Sequence, residues 1–119
     1  MALAVAVRAS GHHSVVTVAG ELDCATAPCL RGFLFGEIEE SQRDLVVDLR
    51  RLDFLDAAGL NVLVNARLSL ALSGRELTVL CHDPKILRLF VITGLHETLN
   101  VNALSESGAP SRGLRDREE

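Results

Sequence analysis

Leu45-Val46-Val47-Asp48-Leu49 is nearly continuous in apolar residues, the pattern of a strand covered on both faces. Close behind it comes Asp53-Phe54-Leu55-Asp56-Ala57-Ala58-Gly59-Leu60, and then a long apolar-periodic segment that reads as a helix from about Ala57 to Ser73. A buried strand feeding a helix through a short junction needs neighbouring strands beside it and helices over it, so the fold is confined to layered α/β arrangements. Asp56 stands where a helix N-cap belongs. A helix N-terminus presents unpaired N–H groups and partial positive charge, so the junction is also a place to meet an anion or an acidic partner.

The flanking chain fits this frame. Residues 3–8 and the β-branched run Ser14-Val15-Val16-Thr17-Val18-Ala19 predict an antiparallel hairpin around Ser10-Gly11-His12-His13. From Cys24 to about Glu40, Ala27, Leu30, Leu34 and Ile38 recur at helical spacing, with Asp23 or Thr26 as cap and Pro28 in the first turn. In the helix after the junction, Leu60, Leu63, Val64, Leu68, Ala71 and Leu72 form the expected apolar stripe, and Gly74 is the stop. Ala57, Asn61 and Asn65 fall on another face, small and polar. Glu76 to Leu80 predicts a fourth strand, and Pro84 opens a short helix that Gly94 ends, with Ile86, Leu87, Leu89, Phe90 and Ile92 as its apolar positions. Thr98 to Val101 reads as a last strand or the start of a final helix. The expected domain is 1–104, followed by a flexible C-terminal tail, 105–119, with almost nothing to bury.

Composition removes several functions. A net charge of −4, with no run of Lys and Arg, gives no basis for direct nucleic-acid binding, and four Phe without Trp or Tyr make no stacking platform. No apolar stretch reaches the roughly 18 residues of a membrane span, and the N-terminus reads as a strand, not a signal peptide. Three cysteines without framework spacing suit a reducing cytoplasm; Cys24, Cys29 and Cys81 are candidate redox residues, with small packed thiols the competing reading. His12 and His13 read as solvated turn residues, and no metal or cofactor constellation is present. Asp48, Asp53 and Asp56 read as turn and cap residues. Phosphate-loop, dinucleotide and hydrolase-elbow motifs are missing, so no enzyme is expected.

Gly20-Glu21-Leu22-Asp23-Cys24-Ala25-Thr26-Ala27-Pro28 resembles the G-E-L-D-x-x-T-A-P opening of bacterial anti-sigma factor antagonists, in the STAS domain family. Leu45 to Leu49 with Leu52, Phe54-Leu55-Asp56 and Gly59-Leu60 resembles its central D-L-x-x-L-x-F-x-D-S-S-G-L stretch, and Ile92-Thr93-Gly94-Leu95 its late L-T-G-L. The likeness runs over about residues 3–103. It implies a single STAS-like α/β domain, a small mixed sheet of about four to five strands with helices packed on it. It further implies a partner, an anti-sigma factor of the kinase-ATPase type, whose capture releases a sigma factor. In the family that kinase phosphorylates a serine at the start of the second helix, placing charge and bulk on the contact surface.

Here D-S-S-G has become Asp56-Ala57-Ala58-Gly59. Ala57, at the phosphoacceptor position, has no hydroxyl. The implied partner surface is Asp23, Asp56, Ala57, Ala58, Gly59, Asn61 and Asn65. Two consequences compete: a chain permanently in its binding state, or one reassigned as a scaffold or a nucleotide- or lipid-sensing module with another partner. A homodimer is compatible with either.

Overall fold

The computed structural model describes residues 2–103; the tail expected over 105–119 lies outside them. The chain runs β1 (Leu3–Ser10), β2 (His13–Leu22), α1 (Ala27–Glu40), β3 (Asp44–Leu55), α2 (Ala57–Ala71), β4 (Leu77–Cys81), α3 (Pro84–Ile92), α4 (Leu95–Thr98) and β5 (Val101–Ala103). The strands form one mixed sheet in the order β1-β2-β3-β4-β5. β1 and β2 are the expected antiparallel hairpin, and every later neighbour is parallel. The α/β expectation holds, and the open choice near Val101 resolves as a fifth strand.

All four helices pack on one face. Ala27, Leu30, Leu34 and Ile38 of α1 and Leu60, Leu63, Ala66 and Leu70 of α2 share one core with Val16, Val18, Val47, Leu49 and Val79 of the sheet. Ile86 and Phe90 of α3 join the same core. Val15, Val46 and Leu80 make a second, strand-only cluster. Arg75, in the turn between α2 and β4, holds the end of α1: its guanidinium donates to the carbonyls of Ile38 at 3.0 Å and Ser41 at 2.6 Å. That supplies donors and positive charge where the end of a helix lacks both.

β3 is twelve residues long and runs on to Leu55, well past Leu49. The reason lies in its pairing with β2, which carries irregularities between Thr17 and Ala19 and between Gly20 and Glu21. Such bulges reset the two-residue alternation. Leu52 and Leu55 are therefore both buried although three apart. Asp53, Phe54 and Leu55 are consequently strand residues, and the junction shrinks to Asp56 alone.

Other expectations are corrected. Cys24 lies in the turn before α1, not on the helix. His12 is exposed in the turn, but His13 is the first residue of β2 and only 3% exposed. Asp48 lies within β3 and is buried, not at a turn. The apolar stripe expected on α2 holds at its start, where Leu60 and Leu63 are buried and Val64 is half-buried, and fails toward its end. Leu68 and Leu72 are 52% and 90% exposed, while Val62, Ala66 and Leu70 are buried. Ile92, expected among the core positions of α3, is 70% exposed. No helix among the described residues is long and apolar enough to cross a membrane.

Candidate functional site

β2 and β3 run parallel and end together, with Glu21 opposite Phe54 and Leu22 opposite Leu55. The Asp56 N–H donates to the Leu22 carbonyl at 3.2 Å, which closes the pair. Each strand then hands over to a helix through an aspartate, Asp23 into α1 and Asp56 into α2. The parallel register thus places at one end of the sheet two residues 33 positions apart in the chain.

Both carboxylates work on their own backbone. Asp56 Oδ1 accepts from the N–H groups of Ala58 at 3.0 Å and Gly59 at 3.3 Å, a side-chain N-cap. Asp23 Oδ1 accepts from Ala25 at 2.9 Å and Thr26 at 3.1 Å. The Thr26 hydroxyl accepts from the Asp23 N–H at 3.0 Å and donates to the Glu21 carbonyl at 2.7 Å. The Thr26 N–H bond, then those from Ala25 and the Thr26 hydroxyl, hold the Asp23 carboxyl below its ordinary 3.8. The start of α2 is therefore not an open anion cradle. Its own aspartate already occupies two of the donors.

What this end offers outward is small. Ala57, Asn61 and Asn65 are exposed, one turn apart along α2, and Ala58 and Asp56 are partly exposed. Gly59, expected in the partner surface, lies beneath it. It is buried, and a Cβ built on it would stand 2.6 Å from Leu55 Cδ1 and 2.7 Å from Leu22 Cγ. Glycine at this position lets the first turn of α2 rest on the ends of both strands.

The sequence reading missed the apolar part of this surface. Leu68 and Leu72 continue the face of Asn61 and Asn65 at three- and four-residue steps, so one stripe of α2 runs from small to polar to apolar. The signal was present in that spacing, but leucine was read as core.

The remaining candidates separate. Cys24 and Cys29 are exposed on the turn and the first turn of α1, and neither they nor Cys81 is in a disulfide. Cys81 is buried in β4, and burial pushes its thiol up to about 11, so it holds its proton and is a poor redox centre. Among the described residues no group of His, Cys, Asp and Glu is placed to hold a metal ion. At the ends of β3 and β4, Arg50, Arg51, Asp53, His82 and Asp83 line an open depression of about 590 Å³. Arg50 is already committed there to Asp48, at 2.6 Å.

Comparison with known proteins gives this surface a context. A family model described as the STAS domain matches residues 4–107. An anti-sigma-B factor antagonist of Staphylococcus aureus is 36% identical over 91 residues, covering 76% of this chain and 84% of that protein. One of Bacillus subtilis is 34% identical over 93 residues, covering 78% and 84%. The crystal structure of an anti-sigma factor antagonist from Mycobacterium paratuberculosis superposes with a TM-score of 0.77 at 29% identity, over 84% of this chain and 85% of that one.

Proposed function

The chain belongs to the STAS domain family, and from that premise we propose that it is an anti-sigma factor antagonist, a binding protein and not an enzyme. It captures an anti-sigma factor and so frees a sigma factor for transcription. The names carried by relatives at 36% and 34% identity support this reading. Its finer part, a partner of the kinase-ATPase type, follows from the motifs described above. A partner of that kind places the protein in the cytoplasm.

One observation carries the assignment of the docking surface: the common end of β2, β3 and α2, where Asp56 caps the helix and Ala57, Asn61 and Asn65 face outward. Side chains this short allow a partner to approach the helix backbone closely. On this reading Ala57 stands where the family motif carries its phosphoacceptor serine. A methyl group accepts no phosphate, so the kinase cannot switch this surface off at that residue. The protein is then constitutively competent to bind. Its control lies in its amount or at another site.

The test uses a purified cognate anti-sigma kinase and radiolabelled ATP. The protein remains unlabelled over residues 56–59, and its affinity is the same before and after incubation. Asn61→Arg, which sets a long cation in the middle of the surface, weakens binding by about tenfold or more, equivalent to about 1.4 kcal/mol. Undiminished binding by Asn61→Arg overturns the surface. Phosphate elsewhere in the chain that abolishes the complex overturns constitutive binding.

A further inference from the structure

The helices pack on one face of the sheet, and among the described residues no element lies on the other. Six neighbouring side chains of that other face are nevertheless between 1% and 8% exposed: His13, Val15, Val46, Asp48, Thr78 and Leu80. They lie side by side on β2, β3 and β4, with Val15 opposite Val46, Val46 opposite Thr78 and Asp48 opposite Leu80. The Arg50 guanidinium closes over Asp48, and Asn100 Nδ2 donates to Thr78 Oγ1 at 3.1 Å, which accounts for those two. It leaves His13, Val15, Val46 and Leu80. Strand side chains stand roughly perpendicular to the sheet, so the short side chains around Val46 flank it without covering it. On a bare sheet face its outer methyl groups would meet water. Ala4 and Ala6 of β1, on the same face, are exposed as a bare face requires. The sequence points the same way: the run Leu45-Val46-Val47 has the pattern of a strand covered on both faces, and the helices cover only one.

The burial belongs to a single chain, so the cover comes from that chain. Residue 1 is no candidate, because Leu3 pairs with Gly20, at the end of β2 away from His13 and Val15. That leaves residues 104–119. β5 ends at Ala103, opposite Cys81, and Asn102 stands opposite Leu80, so the chain leaves the sheet beside the patch. From β5 to β2 is three strand spacings, about 14 Å, and the patch runs about 13 Å along the strands. About six extended residues cross it at 3.3 Å each, well within the segment's reach. The chemistry of the segment also fits. Leu104 and Leu114 are large and apolar, and 112–117 carries Arg112, Arg115 and Arg117 against one acid, Asp116. Where β3 and β4 begin, the patch is bordered by Asp44 and Glu76, with the Glu76 N–H donating to Asp44 Oδ1 at 3.0 Å.

We propose that residues 104–119 fold back across the helix-free face of the sheet and cover Val15, Val46 and Leu80, with the arginines of 112–117 toward Asp44 and Glu76. The expectation of a tail with almost nothing to bury counts its apolar residues, and these are few. A cluster of three side chains needs only one or two to cover it. Docked in this way, the segment makes the sheet the middle layer of three and shields the Asp48–Arg50 pair beside the cluster. It does not rest on the proposed partner: the outward surface of α2 lies on the opposite side of the sheet.

A nitroxide on the tail of the full chain tests this. In a Ser111→Cys chain that also carries Cys24→Ser and Cys29→Ser, the label finds one accessible thiol, because Cys81 is buried. It broadens the methyl NMR signals of Val15, Val46 and Leu80 and spares those of Leu68 and Leu72, which are exposed on α2. In a second full-length chain, Leu104→Ser with Leu114→Ser lowers the urea midpoint and opens the same three sets of methyl groups to a dissolved paramagnet. A label that broadens both sides of the sheet equally or neither, or a double variant with the parent's midpoint and protected methyl groups, overturns the proposal. Protection of the cluster that arises only as protein concentration increases assigns the cover to a second copy and overturns it as well. The label decides even if the double variant fails to fold.

Discussion

At Gly59 two effects of similar size oppose each other, and the geometry decides between them. Alanine is the better helix former by about 1 kcal/mol. Its methyl group would stand 2.6 Å from Leu55 Cδ1 and 2.7 Å from Leu22 Cγ, and Leu22 is fully buried. The tip of Leu55 can swing away, but the branch carbon of Leu22 is fixed by the core around it. Overpacking of this kind costs about 1–3 kcal/mol. Gly59→Ala is therefore expected to destabilise the fold by about 1 kcal/mol net, read as a lower urea midpoint at unchanged slope. Stabilisation would mean that the strand ends yield more easily than their burial implies. The same residue shows how far sequence reading reaches. Asp56 was recognised as a cap because capping is local chemistry. Gly59 reads as surface in the sequence, because its contacts are with Leu22 and Leu55 and no local pattern connects it to Leu22.

At the scale of elements, α2 separates what periodicity can tell from what it cannot. With Leu or Val at six of its fifteen positions, more than one helical stripe looks apolar. The sequence pattern runs the core line from Leu60 and Leu63 on to Leu68 and Leu72, but the sheet meets Leu63, Ala66 and Leu70 instead. Small residues allow a helix to lie close to a sheet, and Ala66 is fully buried. The two ends of the expected stripe now give opposite expectations for truncation. Leu63→Ala removes a fully buried side chain and is expected to cost about 3 kcal/mol. Leu72→Ala, at a position 90% exposed, stays within about 0.5 kcal/mol. Equal losses in urea denaturation would overturn the placement of α2. The hairpin, the continuous strand at Leu45 to Leu49 and the glycine stop at Gly74 were legible because each rests on contiguous residues. The continuation of β3 was not, because its bulges depend on the partner strand.

At the scale of the whole molecule, acid stability is tied to the middle strand. Asp48 lies opposite Thr17 of β2 and Leu80 of β4, and is 6% exposed. Burial raises its carboxyl, but the Arg50 side chain, the Arg50 N–H and the nearby positive charge outweigh that and hold it below 3.8. The guanidinium grips both oxygens, Nε to Oδ1 at 2.8 Å and Nη2 to Oδ2 at 2.6 Å. Asp23 is shifted the same way by its turn. Both carboxyls therefore bind protons more weakly folded than unfolded, and the unfolded chain takes up more protons as pH falls through this range. Their stabilisation is fully present above the unfolded value and is lost as pH drops from about 4 through the folded values. The urea midpoint should be flat from pH 7 to about pH 5 and fall steeply below about pH 4. Asp48→Asn should lower stability at neutral pH by about 2 kcal/mol, less than a fully buried pair because the Arg50 side chain is 33% exposed. It should also flatten the acid limb, because the variant has lost one of the two protons whose uptake drives it. An Asp48→Asn chain with the parent's full acid slope would assign the effect to Asp23 and the surface carboxylates, and would remove the middle strand from the account of acid unfolding.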